Sequence, residues 1–464
     1  MRVNVGLVCF FVSFCAASSA YAHGGQPVPR SLYVDPFDHN MQTLVSSDLG
    51  LHTSPDGGET WHWICEDIVG FDVRDFALAG SGELPASERV WLSGGVGITQ
   101  GEAAGEYVDG LYLSEDGGCN WSPVGGILAG QWVGVISVDP AQPEVVVVAT
   151  RHINLPNGVA YSEDSGRTWQ WSNIDSEDRE LKSMVRAPGN SAVLYASATQ
   201  KLLRSEDGGR TWESFFEELV EEEVDELDVH MVDPEDADVL YFSVFSAVGR
   251  HLYVTRDAGL SAQKLLEPSG RDFQAVTILS TDDDGGRMIL VGDAFGTGFI
   301  STDLGQSWEE FLSSVVSFDC LRGDPTVEGG LFVCSNPFVQ FLQPIFALGK
   351  SADDGRNVTP YFAYGDTDDY LQCGDDSQIM EVCAALMEVG EDVGGDTGFD
   401  PFGDVGVDAG SDAGQMPADA GPGLGVGSGP GGGCGCATPT QRRPAGGLWL
   451  LALLLAGGLA RRRS

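Results

Sequence analysis

The residues of this chain best equipped for chemistry are its carboxylates: 69 Asp and Glu stand against 25 Lys and Arg, for a formal net charge of −44. Two carboxyl groups on separate elements, set a few ångström apart, are enough for acid–base hydrolysis of a glycoside. Seven aspartates, however, recur in one local setting, Asp56, Asp116, Asp164, Asp207, Asp257, Asp303 and Asp353. The pattern is Ser-x-Asp-x-Gly-x-Thr-Trp, clearest at Ser54 to Trp61, Ser114 to Trp121, Ser162 to Trp169, Ser205 to Trp212 and Ser301 to Trp308, and eroded at Thr255 to Gly259 and Ser351 to Gly355. In a tight turn an Asp carboxylate accepts backbone N–H groups, while Gly supplies the positive-φ position. Gly58, Gly118, Gly166, Gly209, Gly259, Gly305 and Gly355 fill that place. The Ser or Thr hydroxyl ties the two arms. Trp61, Trp121, Trp169, Trp212 and Trp308 follow as large rings that seal the hairpin. Every residue of the pattern has a fold-stabilising role, so these aspartates are read as structural and not catalytic.

The elements that must position such turns follow from the spacing. The aspartates lie 60, 48, 43, 50, 46 and 50 residues apart, the period of a propeller or another repeat array. An alternating run such as Leu111-Tyr112-Leu113 leads into each turn, and a Trp-led strand leads out. Two further strand-like runs come first, often parted by Asp-Pro, as at Asp35-Pro36, Asp139-Pro140 and Asp233-Pro234. The second run is β-branched and apolar, as in residues 145–149. Four strands per unit and seven units predict an all-β, seven-bladed propeller of four-stranded blades over residues 23–365.

These octapeptides resemble the Asp-box, or BNR, repeat of sialidases and sortilin-type receptors, and the resemblance covers roughly residues 31–365. It implies that each box closes the turn between the third and fourth strands of a blade, away from the axial mouth where ligands bind. A sialidase further needs an Arg-Ile-Pro signature and three arginines converging on the substrate. Val28-Pro29-Arg30-Ser31 does not match, and Arg167, Arg210, Arg256 and Arg356 lie inside box turns. Xyloglucan-cleaving relatives place their active site between two propellers, whereas one is expected here. A non-sialidase glycosidase with paired carboxylates at the mouth is the alternative, but no pair stands out. A binding or adhesion protein needs only variable loops on a rigid disc. Two long insertions suit that role, one carrying Thr99, Gln100 and Glu102, the other Phe338 and Phe341. The aromatics of the second either meet a glycan or protein ligand or fold down over the channel.

Both ends read as processing signals. A basic start, an apolar core and Ala20-Tyr21-Ala22 make residues 1–22 a secretory signal peptide cut between Ala22 and His23. At the other end, Cys434 and Cys436 precede the apolar residues 445–460 and the cluster Arg461-Arg462-Arg463. This trio resembles the myxobacterial C-terminal sorting tag, which implies a dedicated processing enzyme, with one of the two cysteines at the processed position. The 16 apolar residues are slightly short of the roughly 20 that span a bilayer, and the arginines orient the propeller outward. Residues 393–433 are rich in Gly, Asp and Pro and cannot bury enough apolar surface to fold, so a disordered stalk is expected.

Of the remaining cysteines, Cys320 and Cys334 fall on the first and second strands of blade seven and are expected to pair. Cys373 and Cys383 flank part of a small cap at residues 366–392. Cys65 and Cys119 then remain for each other by elimination. The acidic charge disfavours a nucleic-acid partner. The histidines are scattered, with no metal-ligand spacing, and no cofactor or metal is expected. The function expected is recognition of a glycan or protein ligand outside the cell by a propeller anchored at the cell surface.

Overall fold

The computed structural model describes residues 27–384 except 48, 71, 96–109, 153, 175–180, 199, 216–219, 221–223, 268–272, 281–286 and 338–345. Ala22, His23, Cys434, Cys436, Thr99, Gln100, Glu102, Phe338 and Phe341 lie outside the described residues.

Seven antiparallel sheets form, each of four consecutive strands, one with a fifth strand added. The chain folds as a seven-bladed β-propeller. Blade 1 comprises Pro29–Val34, Gln42–Ser46, Gly50–Ser54 and His62–Ile64. Blades 2 to 7 begin with Val73–Ala79, Val133–Asp139, Leu181–Arg186, Glu226–Val232, Phe273–Ser280 and Cys320–Gly323. Each blade is covered on both faces by its neighbours, which is why second strands read as continuous apolar runs. Val145, Val146, Val147, Val148 and Ala149 are all buried, 0–3% exposed, with alternate side chains entering different inter-blade layers. Burying each such side chain contributes roughly 1.5–3 kcal/mol. The outermost strands can be as short as Gln170–Trp171 and Glu213–Ser214, and both residues of each are exposed.

Most first strands carry a one-residue bulge, near the strand's start at Arg30, Arg74, Gly134, Lys182 and Gln274 and near its end at His230. Further along, side chains bond from one inner strand to the next. Asp75 Oδ2 accepts from Ile136 N at 2.7 Å, Ser183 Oγ accepts from Val229 N at 2.8 Å, and Arg186 Nε donates to Ser137 Oγ at 3.0 Å.

The segment after blade 7 closes the ring. Its strand Asp369–Tyr370 pairs in parallel with His62–Ile64, outside blade 1. Asp368 N donates to Trp61 O at 2.9 Å, and Asp368 Oδ2 accepts from Trp61 N at 2.8 Å. The helical turn Ile379–Cys383 then reaches blade 2, where Gln378 N donates to Asn120 Oδ1 at 2.9 Å.

The disulfides correct the expected pairing. Cys320 does bond Cys334 across adjacent strands, but Cys65 bonds Cys383 and Cys119 bonds Cys373, with Cα–Cα distances of 5.5 and 5.7 Å. Elimination along the sequence failed because the ring returns the end of the chain to its beginning, across separations of 318 and 254 residues. Three disulfides mark an oxidising environment of the kind found outside the cytosol. Among the described residues no helix is long and apolar enough to cross a membrane. The apolar run 445–460 lies outside them.

Candidate ligand-binding rim

Strand alternation sorts the turns onto two faces. Turns between first and second strands, and the seven aspartate turns between third and fourth, share the lower face. The second-to-third turns and the inter-blade connections share the upper one.

On the lower face all seven aspartates do the same job. In the turn of blade 6, Ser301 Oγ donates to Asp303 Oδ1 at 2.8 Å and accepts from Gly305 N at 2.7 Å. Ser307 N and Oγ then donate to the two carboxylate oxygens at 2.8 and 2.6 Å. The eroded turns keep this network, with Thr255, Asp257, Gly259 and Ser261 in blade 5 and Ser351, Asp353, Gly355 and Asn357 in blade 7. The Ser307 hydroxyl and then its N–H hold the Asp303 pKa down to about 2, and Ser261 lowers that of Asp257 in the same way. A carboxylate whose pKa is held this low stays ionised and has no proton to donate, so the arrangement serves the turn. Trp61, Trp121 and Trp212 are buried, and Trp169 and Trp308 half-buried. Trp121, Trp169 and Trp212 each cap their own turn by donating Nε1–H to the carbonyls of Gly118, Gly166 and Gly209 at 2.8–2.9 Å.

The upper face has a different character. Bulge residues and their neighbours form ion pairs around the mouth: Asp72 with Arg74 and, at 4.0 Å, Arg30; Lys182 with Glu226 at 2.5 Å; Arg250 with Asp228 at 2.6 Å. The bulges place Arg30, Arg74 and Lys182 there, since the extra residue rotates out of the ladder at the upper end of the strand.

Outside this ionic ring stand apolar tips. Leu155, Val248 and Phe295 are 40%, 75% and 69% exposed, and each sits in the second-to-third turn of its blade. Two of these turns, those of Leu155 and Phe295, are braced. Asp293 Oδ1 accepts from Phe295 N at 2.8 Å and Thr297 N at 2.7 Å, which holds the Phe295 ring out of the sheet. Gly296 completes that turn at φ 75°, where a Cβ would lie 2.1 Å from the Val315 carbonyl oxygen. In blade 3, His152 Nδ1 accepts from the N–H groups of Asn154 and Leu155, both at 2.9 Å, so it acts here as an unprotonated acceptor. Asn157 bonds both main-chain groups of His152, and the imidazole packs on Trp132 at 4.7 Å between centroids. Reading the histidines as scattered residues missed this brace. The signals present were Asp293 two residues before an aromatic, with a glycine after it, and His152 five residues before Asn157.

Within the channel, burial raises Asp75 to about 6, although it accepts hydrogen bonds from Ile136 N and Phe76 N. Burial alone lowers His52 to about 3, and burial also lowers His230 to about 4.

No protein-family model matches the sequence, and no curated protein matches it. Solved structures with a similar backbone are propellers. An ancestral GH74 enzyme aligns with TM-score 0.54 and 17% identity, covering 72% of this chain and 46% of its own. The GH74 xyloglucanase from Xanthomonas campestris aligns with TM-score 0.54 and 14% identity, covering 73% and 55%. The chain thus spans about half the length of these two structures. YCF48 bound to a D1 peptide aligns with TM-score 0.46 and 17% identity, over 66% of this chain and 93% of that one. At these identities the likeness is one of fold.

Proposed function

We propose that this protein is an exported Asp-box propeller that binds a glycan or protein ligand on its upper face. The observation that carries the reading is the rim of Leu155, Val248 and Phe295, exposed apolar side chains, the first and last on braced turns, around an ionic mouth. Apolar anchors held rigid before contact lose little conformational freedom on binding, and surrounding charges set orientation and partner choice. The mouth carboxylates Asp72, Glu226 and Asp228 are each engaged by a cation, an arrangement suited to charge complementarity. The three disulfides support export, and the trio formed by Cys434 and Cys436, the apolar run and the terminal arginines supports anchoring by a sorting enzyme at the cell envelope.

A glycan array and a surface-protein overlay with the purified exported chain test this. Binding that falls at least tenfold when Val248 and Phe295 are both changed to Ser, with unchanged thermal stability, is expected. Undiminished binding by that variant removes the rim from the proposal.

One observation favours a second reading, glycoside hydrolysis: the Asp75 carboxyl, at about 6, is close to the range a general acid uses. Turnover of chromogenic glycosides that disappears in Asp75→Asn would establish it. Binding without turnover supports the receptor.

A further inference from the structure

At the lower end of the axial channel, on the face opposite the rim, a cavity of about 230 Å³ opens at the seam between blades 7 and 1. Its walls include Pro36 and His39 from the first turn of blade 1, and Arg322 and Pro325 from blade 7. Arg322 is the informative member. Its side chain reaches across the seam and donates to the carbonyls of Leu32 at 3.2 Å and Val34 at 3.4 Å. Those two long bonds leave N–H groups of the five on a guanidinium unspent. Among the described residues no carboxylate lies within ion-pair distance of it.

Of the neighbouring acids, exposed Asp38 accepts from Asn40 N at 3.1 Å, and the two buried ones are committed to cations. Asp35, fully buried beside the cavity, is held by both terminal nitrogens of Arg89, which is itself 1% exposed at its side chain. Asp324 faces Lys350 at 3.7 Å and accepts from Thr326 N and Oγ1 at 2.9 and 2.6 Å. The Asp75 charge and the Tyr33 hydroxyl act on Arg322 only from a distance. Packing around the guanidinium lowers the Arg322 pKa from its ordinary value, yet the residue as a whole stays exposed, so its free N–H groups are open to an incoming ligand. The large negative charge of the chain does not cancel this locally, because at physiological salt its reach is about 8 Å.

We propose that this cavity is a binding site for a small organic carboxylate. The carboxylate takes the free edge of Arg322, where planar N–H donors match two oxygens. The body of the ligand lies between the rings of Pro36 and Pro325, and His39 closes the outer side. A volume below the roughly 300 Å³ of the smallest drug-sized pockets limits the ligand to one small ring or a short chain.

The test uses the full exported chain at constant ionic strength, with benzoate as probe, benzamide as its uncharged isostere and sulfate as an inorganic anion, followed by ligand-observed NMR. Saturable 1:1 binding of benzoate, weaker by at least tenfold for benzamide and for sulfate, is expected. Arg322→Gln should weaken benzoate at least tenfold. Because Arg322 also bonds the seam, His39→Asp provides a second variant: this half-buried turn residue would set a carboxylate beside the incoming one. It should weaken benzoate at least tenfold without lowering thermal stability. Absence of saturable binding to the unmodified chain, equal binding of benzamide, or undiminished binding by His39→Asp overturns the proposal. Equal binding of sulfate overturns the carboxylate class. None of these outcomes depends on the upper rim, so failure here and failure of the receptor reading are separable.

Discussion

A single aspartate in each blade accepts three hydrogen bonds, and the chemistry of the donors can vary more than the sequence pattern suggests. The residue four places after the aspartate is Thr, Asn or Ser, yet it bonds the same two oxygens each time. Changing Asp207 to Ala removes the acceptor for Ser205, for Thr211 N and for the Thr211 hydroxyl at once. A loss of about 2 kcal/mol in urea-unfolding free energy is expected, with ligand binding unaffected. The residue before each turn glycine is also left-handed, at φ 57° for both Ala258 and Leu304. Leu304→Asn should therefore stabilise by about 0.5 kcal/mol, measured the same way, since Asn enters that region more readily. These positions were legible in the sequence because a turn writes its requirements into neighbouring residues. The rim was not, because an exposed Val or Phe carries no constraint of its own, and only the braces beneath it, Asp293 with Gly296 and His152 with Asn157, leave a trace in the sequence.

The segment after blade 7 is an element that the repeat alone does not specify. Asp368 bonds the main chain of Trp61 in the way Asn173, after blade 3, bonds that of Trp212 in blade 4. The last blade thus meets the first much as blade 3 meets blade 4. The two disulfides then reinforce that contact. Replacing both Cys65 and Cys383 by Ser should cost about 3 kcal/mol, and hydrogen exchange should rise first at His62–Ile64. The pairing escaped the sequence for a geometric reason: cysteines more than 250 residues apart are neighbours only once the ring is known to close beside blades 1 and 2. Cys320 and Cys334, 14 residues apart on adjacent strands, were legible from strand register alone.

The whole molecule should lose stability on mild acidification. His52 and His230 take up protons near pH 6.5 when unfolded, but in the fold only near 3 and 4. The unfolded chain therefore binds more protons over that window, and stability falls as pH drops below 6.5. Asp75 acts the other way. Its folded pKa of about 6 lies above the ordinary carboxyl value of 3.8, so its contribution is full below 3.8 and is lost as pH rises through 6. Two histidines against one carboxyl leave a net loss on the order of 2 kcal/mol between pH 7.5 and 5, measurable from urea midpoints. His230→Gln should remove most of that net slope, because the opposing Asp75 contribution then offsets much of what His52 alone supplies. Below pH 4 the turn aspartates add to the loss, because hydrogen bonds hold their folded pKa values below the unfolded one.

The bonds from Cys65 to Cys383 and from Cys119 to Cys373 have one more consequence. Any single peptide bond between Cys119 and Cys373 can be cut without separating the pieces, because each piece keeps one partner of both bridges. A protease that nicks the exposed turn at Val248 would leave a molecule of unchanged mass on a non-reducing gel and two bands after reduction. In an environment rich in peptidases, such a chain would outlast breaks in its own backbone and keep its seven blades in one ring.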